Sequence, residues 1–471
     1  MKIIKKIGWI TLCLAVFIGV FGISAYSKAK NIFGGEFFAA FALQGAATKE
    51  TLSKDEYNTR IIDVKYIKAD STIDTRQVII YKPSGATGDL PLIYIPHYSA
   101  EEKTADFVSY IRHGWAVAAP YQFKNDFNGV LETDDLVFNN AALYTLRHMD
   151  GIDKKRIAIV GGSAGGYTTL MLNGLQMGTV ASIASAPIAN VYFNFHEYFP
   201  AADKVNRNSG LFDFKMPIQG MVSKAFQPIN DKIKKDDART WEAISPISMA
   251  NAISNPLVMF HNTSDILVPV DQITHKYTYA KNDGTLPKEF VPKLPSTYPG
   301  ILSSTFEEMA NPDELTIKYS RFANNHVEGV LPYANTLITI NINDDGPPTA
   351  KGSHSAPNLT GSYDIFPYLE DMMKRTLDNT EKLVPQKLLL LLERYQGESL
   401  ALPAHEGVDD TVYGSLAIYQ REIVDELKMW MDSHTKEEMD SAMKSAVSKI
   451  SDSNKQQKYN KTWQVILSQI K

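Results

Sequence analysis

The sequence predicts an α/β fold, a mostly parallel sheet covered by helices, and three observations carry that prediction. Short runs apolar on both faces recur at 90–96 (LPLIYIP), 115–120 (WAVAAP) and 156–160 (RIAIV), and a strand without a polar face belongs in a sheet covered on both sides. Helical patterns over 101–112 and 134–149 separate these runs, which is the strand-helix-strand alternation of a parallel sheet. The third observation is the segment Gly161-Gly162-Ser163-Ala164-Gly165-Gly166-Tyr167, placed between RIAIV and the helix-forming TTLMLNGL.

Each further element follows from its own pattern. IIDVKYI at 61–67 and TRQVIIYKP at 75–83 flank a turn-rich stretch and end at Pro83, so they read as a hairpin. A helix is expected over 168–176 and a strand over 180–186. The alternation then lapses from 190 to 243, where seven aromatics fall between Tyr192 and Phe214; this stretch reads as an inserted cap over the site. PLVMF at 256–260 resumes the buried strands, LTIKYS and TLITININ at 315–320 and 336–343 add two more, and a helix follows over 363–377. From 378 onward the amphipathic patterns KLLLLLERY and REIVDELKMWMD dominate, and the first of these is too short to span a bilayer.

The chain has 471 residues, more than one compact α/β domain usually needs. The expected organisation is an export segment at 1–30, a catalytic domain at 31–377 with the cap at about 190–243 and a further insertion at about 285–335, and a helical C-terminal region at 378–471. Lys2, Lys5 and Lys6 precede an apolar run at 7–23, the pattern of an export signal. It serves either as a cleaved signal peptide or as a membrane anchor, so the expected location is extracytoplasmic, anchored to the membrane or secreted. Cys13, the single cysteine, lies inside that run. Disulfides, thiolate zinc sites and a cysteine nucleophile are thereby excluded from the rest of the chain. A net charge of −5 with 44% hydrophobic and 21% charged residues describes an ordinary globular protein and no nucleic-acid partner.

G-x-S-x-G between a strand and a helix is a nucleophile elbow. The turn forces the serine into a strained conformation, and the flanking glycines let neighbouring backbone pass without a Cβ clash. Ser163 is the expected nucleophile. With GGSAGGY, the lead-in Gly151-Ile152-Asp153-Lys154-Lys155-Arg156-Ile157 and the run His113-Gly114-Trp115-Ala116-Val117-Ala118-Ala119-Pro120, residues 60–272 resemble the prolyl oligopeptidase-like and esterase-lipase branch of the α/β-hydrolase superfamily. The resemblance implies an α/β-hydrolase fold with an inserted cap and extra C-terminal helices, and a Ser-His-Asp triad working through an acyl-enzyme.

The resemblance further implies an oxyanion hole from two backbone amides, that of Ala164 and that of Tyr98 in the turn Pro96-His97-Tyr98-Ser99. The family usually carries His-Gly there, whereas this chain has His97-Tyr98. Asp265, in the pattern following PLVMF, is the implied carboxylate, with Asp271 as the nearest competitor. For the general base, His354 follows a strand and a loop and precedes a helical pattern, His326 follows LTIKYS, and His405 precedes the stretch 415–431; the three stay open. His97 occupies the place of the family's oxyanion-loop histidine and is expected to be structural. No H-E-x-x-H or ligand-spaced carboxylate cluster occurs, so no cofactor or metal is expected. The implied partner is a small-molecule ester or a peptide substrate, with the membrane as a second partner if the N-terminal segment is retained. The alternatives are a prolyl oligopeptidase-like serine peptidase and a catalytically inactive hydrolase-fold binding module.

Overall fold

The computed structural model describes residues 51–121 except 101 and 103, 133–175, 181–195 except 193, short stretches between 231 and 268, the strands at 316–321, 326–327 and 335–340, residues 366 and 369–370, and 385–470. The export segment at 1–30, most of the cap, Asp265 and His354 lie outside the described residues. Among the described residues no helix is long and apolar enough to cross a membrane.

A hairpin opens the fold. Strand β1 (Tyr57–Ile67) pairs antiparallel with β2 (Ile73–Pro83) along its whole length, from Tyr57 opposite Pro83 to Ile67 opposite Ile73. Asp70 closes the turn by accepting from the Thr72 amide at 3.0 Å, a local side-chain bond of the kind aspartate favours in turns. Strands β3 (Leu90–Tyr94), β4 (Ala116–Pro120), β5 (Ile152–Gly162), β6 (Ala181–Ser185), β7 (Leu257–Asn262), β8 (Thr316–Arg321), β9 (His326–Val327) and β10 (Asn335–Ile340) complete the sheet. Its order is β1-β2-β4-β3-β5-β6-β7-β10-β8-β9. The segment from β4 to β8 is parallel, and β2 joins it antiparallel through β4. Strands β4 and β6 are buried at every position, as the doubly apolar runs require.

Helices α1 (Ala105–Arg112), α2 (Thr133–Arg147) and α3 (Ala164–Leu175) follow β3, β4 and β5. The first begins at 105 rather than at the expected 101, because the Thr104 hydroxyl accepts from the Phe107 amide at 3.2 Å and caps it. That bond satisfies one of the four amides a helix start leaves open. The third begins at 164 rather than 168: Tyr167 donates to the Ser163 carbonyl at 2.9 Å, so the elbow itself starts the helix. Two glycines at its N-terminus, weak helix formers, concealed that start.

After the short α4 (Ala238–Ala243) come four C-terminal helices: α5 (Pro385–Tyr395), α6 (Leu416–Trp430), α7 (Lys436–Ser448) and α8 (Ser453–Gln469). Their start signals are local. Pro385 sits at the first helical position, where its missing amide costs nothing. Ser415, Thr435 and Asp452 cap the next three, Thr435 as half of a capping box with Glu438. Their apolar faces enclose a second cluster around Leu391, Trp430, Met443 and Trp463, distinct from the main core. The main core itself continues into the C-terminal region through Leu402, Tyr413, Ile418 and Tyr419.

Candidate active site

Ser163 stands where β5 ends and α3 begins, with φ +51° and 6% of its surface exposed. A left-handed serine costs about 1–3 kcal/mol and persists only where its surroundings over-determine it. Here they do: the Ser163 amide donates to Ser185 of β6 at 2.8 Å, and the Ala186 amide, one residue on, donates to Phe260 of β7 at 2.7 Å. The elbow is tied across two neighbouring strands.

The glycines around it have separate tasks. A Cβ on Gly161 would lie 2.5 Å from the Gly165 carbonyl oxygen and 2.7 Å from Thr169 Oγ1, a contact that real Cβ atoms do not make. One on Gly165 would meet the Pro96 carbonyl oxygen at 3.0 Å and the Tyr98 ring at 3.3 Å, so this glycine lets the loop after β3 close onto the elbow. Gly161→Ala is therefore expected to displace the elbow: the labelling rate of Ser163 by a fluorophosphonate should fall by at least about tenfold, since misplacement by about 1 Å already costs up to 10²-fold. A variant labelled at the wild-type rate would refute this steric account.

That loop is where the structure departs from expectation. His97 adopts φ +72°, and the Tyr98 amide, expected as the second oxyanion donor, instead donates to the Pro96 carbonyl at 2.9 Å. The tight turn consumes the amide. In its place the Tyr98 side chain turns to the elbow: its ring lies 3.3 Å from where a Cβ on Gly165 would stand, and its phenol feels both the Ser163 side chain and the Ala164 backbone. Burial raises the phenol above its ordinary range, while Ser163 and the Ala164 backbone pull in the opposite direction. It is thus a neutral hydroxyl, able both to accept and to donate. Sequence reasoning missed this role because it assigned Tyr98 only a backbone function; an aromatic hydroxyl where the family carries glycine was the available signal.

Beneath the loop lies a buried polar set. Asp135, in the first turn of α2, receives Arg76 Nη1 of β2 on Oδ1 at 2.8 Å and faces His97 Nδ1 with Oδ2 at 3.4 Å. Asn139, one turn further along α2, donates to the Asp135 carbonyl at 2.7 Å and to its Oδ2 at 3.2 Å. Its own Oδ1 accepts from the Tyr94 hydroxyl at 2.7 Å and from the His97 amide at 3.3 Å. Burial alone would raise the Asp135 carboxyl, but His97 and Arg76 outweigh it and hold the group below its ordinary 3.8. A carboxylate with a depressed folded-state pKa stabilises above its unfolded value and loses that contribution as pH falls through the folded one. Asp135→Asn is accordingly expected to be less stable than wild type at pH 7, the gap closing as pH drops below 3.8. Urea titrations at several pH values measure it; a gap that stays constant into acid would contradict the assignment.

The histidines divide as follows. His261 on β7 donates from Nε2 to the Val268 carbonyl at 2.7 Å, and His113 donates from Nδ1 to the Ser109 carbonyl at 2.7 Å while stacking on Phe366. His405 places Nδ1 3.0 Å from Ser71 Oγ in the β1–β2 turn. His326 begins β9, and its side chain lies outside the described residues, as do Asp265 and His354. Of the aromatics expected in the cap, Tyr192 and Phe195 are buried in the main core, Tyr192 edge-on to Trp241 with ring centroids 5.9 Å apart. Phe193 and those from 196 to 230 lie outside the described residues.

Residues 80–278 match the BD-FAE family, whose members are esterase-like α/β-hydrolases. The match runs from β2 past β7 and takes in the whole elbow. With the strand order, the antiparallel second strand and the serine turn after β5 already in place, it decides the class. The fold is that of an α/β-hydrolase.

Solved structures similar to this α/β-hydrolase include an acetyl xylan esterase from Paenibacillus sp. R4, at 19% identity over 52% of this chain and 84% of that one, with a TM-score of 0.35. A puromycin hydrolase matches at 12% identity over 73% of this chain and 40% of its own, with a TM-score of 0.38. The acylaminoacyl peptidase of Pyrococcus horikoshii matches at 13% identity over 68% of this chain, with a TM-score of 0.36. The chain spans 40% and 41% of the lengths of these last two. No curated protein matches the sequence.

Proposed function

We propose that this α/β-hydrolase is a serine hydrolase that cleaves an ester bond through an acyl-enzyme formed on Ser163. The observation that carries the proposal is the convergence at one point of a left-handed Ser163, the Ala164 amide and the Tyr98 phenol. A nucleophile needs donors aimed where negative charge develops, and such donors are the largest catalytic contribution in acyl transfer. A substrate carbonyl oxygen entering between them takes the Ala164 N–H and receives the Tyr98 O–H. Ser163 Oγ attacks the carbonyl carbon, its proton passes to a histidine, and the leaving alcohol departs with that proton. Water then attacks the acyl-enzyme and frees Ser163. Esters take precedence over amides because the matched family is esterase-like.

His354 is the base and Asp265 the carboxylate that orients it. In sequence Asp265 follows β7 by three residues and His354 follows β10; β5, β7 and β10 run parallel, so their C-terminal ends share the sheet edge where β5 delivers Ser163. At about 4.8 Å per strand, β10 lies about 14 Å from β5 and β9, which carries His326, about 24 Å away. That difference favours His354. The apolar run at 7–23 behind Lys2, Lys5 and Lys6 supports an export segment and a location outside the cytoplasm, either secreted or anchored.

The test is labelling by a fluorophosphonate with the modified residue located by mass spectrometry. His354→Ala is expected to slow labelling by about 10²–10⁴-fold, the usual range for a general base, and His326→Ala to leave it near wild type. The reverse result would transfer the role to His326, and a folded wild type that takes no label would leave a non-catalytic binding module as the better account.

A further inference from the structure

The buried set under the loop is not used by the proposed reaction, yet it converges on the residue whose conformation decides where Tyr98 points. Both polar ends of His97 are held from α2: its amide by Asn139 and its ring by Asp135. Asn139 is in turn held by Asp135, and Asp135 by Arg76 reaching across from β2. All of these residues except Arg76 are at least nine-tenths buried, and Arg76 lies over the Phe138 ring at 4.0 Å with its side chain 18% exposed. A non-glycine residue at φ +72° relaxes to negative φ unless held, and that relaxation would swing the next side chain away from the elbow.

We infer that Arg76 and Asp135 are positioning residues for Tyr98: they hold His97 left-handed and thereby aim the Tyr98 phenol at Ser163 and the Ala164 amide. The inference rests on the serine-hydrolase proposal. A glycine after the histidine, as the resemblance leads one to expect, would have no side chain to aim. Tyrosine at that place makes the loop's exact backbone conformation a condition of catalysis. The pair therefore bears on activity through one phenol.

A double-mutant cycle tests it, because residues that act through a shared partner are non-additive. The readout is the second-order rate constant for phosphonylation of Ser163 by a fluorophosphonate on the full chain, with folding checked by thermal melts. Tyr98→Phe is expected to slow the reaction by about 10²–10³-fold, the usual loss for one oxyanion donor. Asp135→Asn and Arg76→Lys are each expected to slow it by about tenfold in the Tyr98 protein, and by under about twofold once Tyr98→Phe is present.

Equal slowing in both backgrounds would reduce the pair to a fold-stabilising contact and overturn the inference. An unaffected Tyr98→Phe variant would overturn it too, since no phenol would then need aiming. If Asp135→Asn does not fold, Arg76→Lys, which keeps the charge on the more exposed partner, carries the same comparison. Failure of the wild type to label at Ser163 is a separate result: it removes the hydrolase proposal and this inference together.

Discussion

Ser163→Ala is expected to abolish fluorophosphonate labelling and to lower ester turnover by about 10⁶-fold, the scale of loss when the nucleophile of such a unit is removed. The fold should survive unchanged. A serine at φ +51° is held through its backbone bonds to Ser185 and Tyr167, and alanine accepts the same strained backbone at no greater cost. p-Nitrophenyl acetate hydrolysis by wild type and variant, with thermal melts of both, measures the two halves of the expectation. Residual turnover within tenfold of wild type would move the chemistry to another residue.

Arg394→Met is expected to cost about 3–5 kcal/mol of stability, the usual effect of removing one member of a buried charge pair. Arg394 on α5 is fully buried; its Nη2 is bonded to Glu422 Oε2 of α6, and its Nη1 donates to the Leu175 carbonyl of α3 at 2.8 Å. Lys387, also buried on α5, donates to the Asn173 carbonyl of the same helix. Two cations thus satisfy carbonyls in the last turn of the helix that begins at the nucleophile, where a helix leaves acceptors open and favours positive charge. On the other side Arg147 of α2 donates to Glu426 of α6 at 2.9 Å. Removing Arg394 leaves Glu422 in an apolar setting with the Tyr413 hydroxyl, at 3.0 Å, and Arg147, at 4.0 Å. The second variant is Arg394→Met with Glu422→Met, which removes the uncompensated charge and should recover part of the loss in urea denaturation. A single variant as stable as wild type would show that these C-terminal helices are not tied to the catalytic core through this pair.

These two predictions draw on different levels of information. The nucleophile was legible as a string in context, because a strand, a glycine-flanked serine and a helix are a local arrangement that the turn itself dictates. The parallel strands were legible for the same reason: runs such as AVAAP have no polar face to present to water. Helix starts were legible only where the capping signal outweighed composition. Thr104 moved α1 four residues later than its pattern suggested, and the glycines of the elbow hid four residues of α3.

What the sequence determined by itself was the fold class and the place of Ser163, since both follow from periodicity and from one turn's backbone demands. Tertiary structure decided which atom of Tyr98 faces the nucleophile, because the turn at 96–98 spends the amide on Pro96 and leaves the phenol to the site. It also decided that Arg76, Asp135 and Asn139, drawn from β2 and α2, meet under His97, and that Lys387 and Arg394 close the far end of the nucleophile's helix. Those contacts join residues tens to hundreds of positions apart, and neither propensity nor spacing carries information over such separations; only packing of the helices against the completed sheet brings them together.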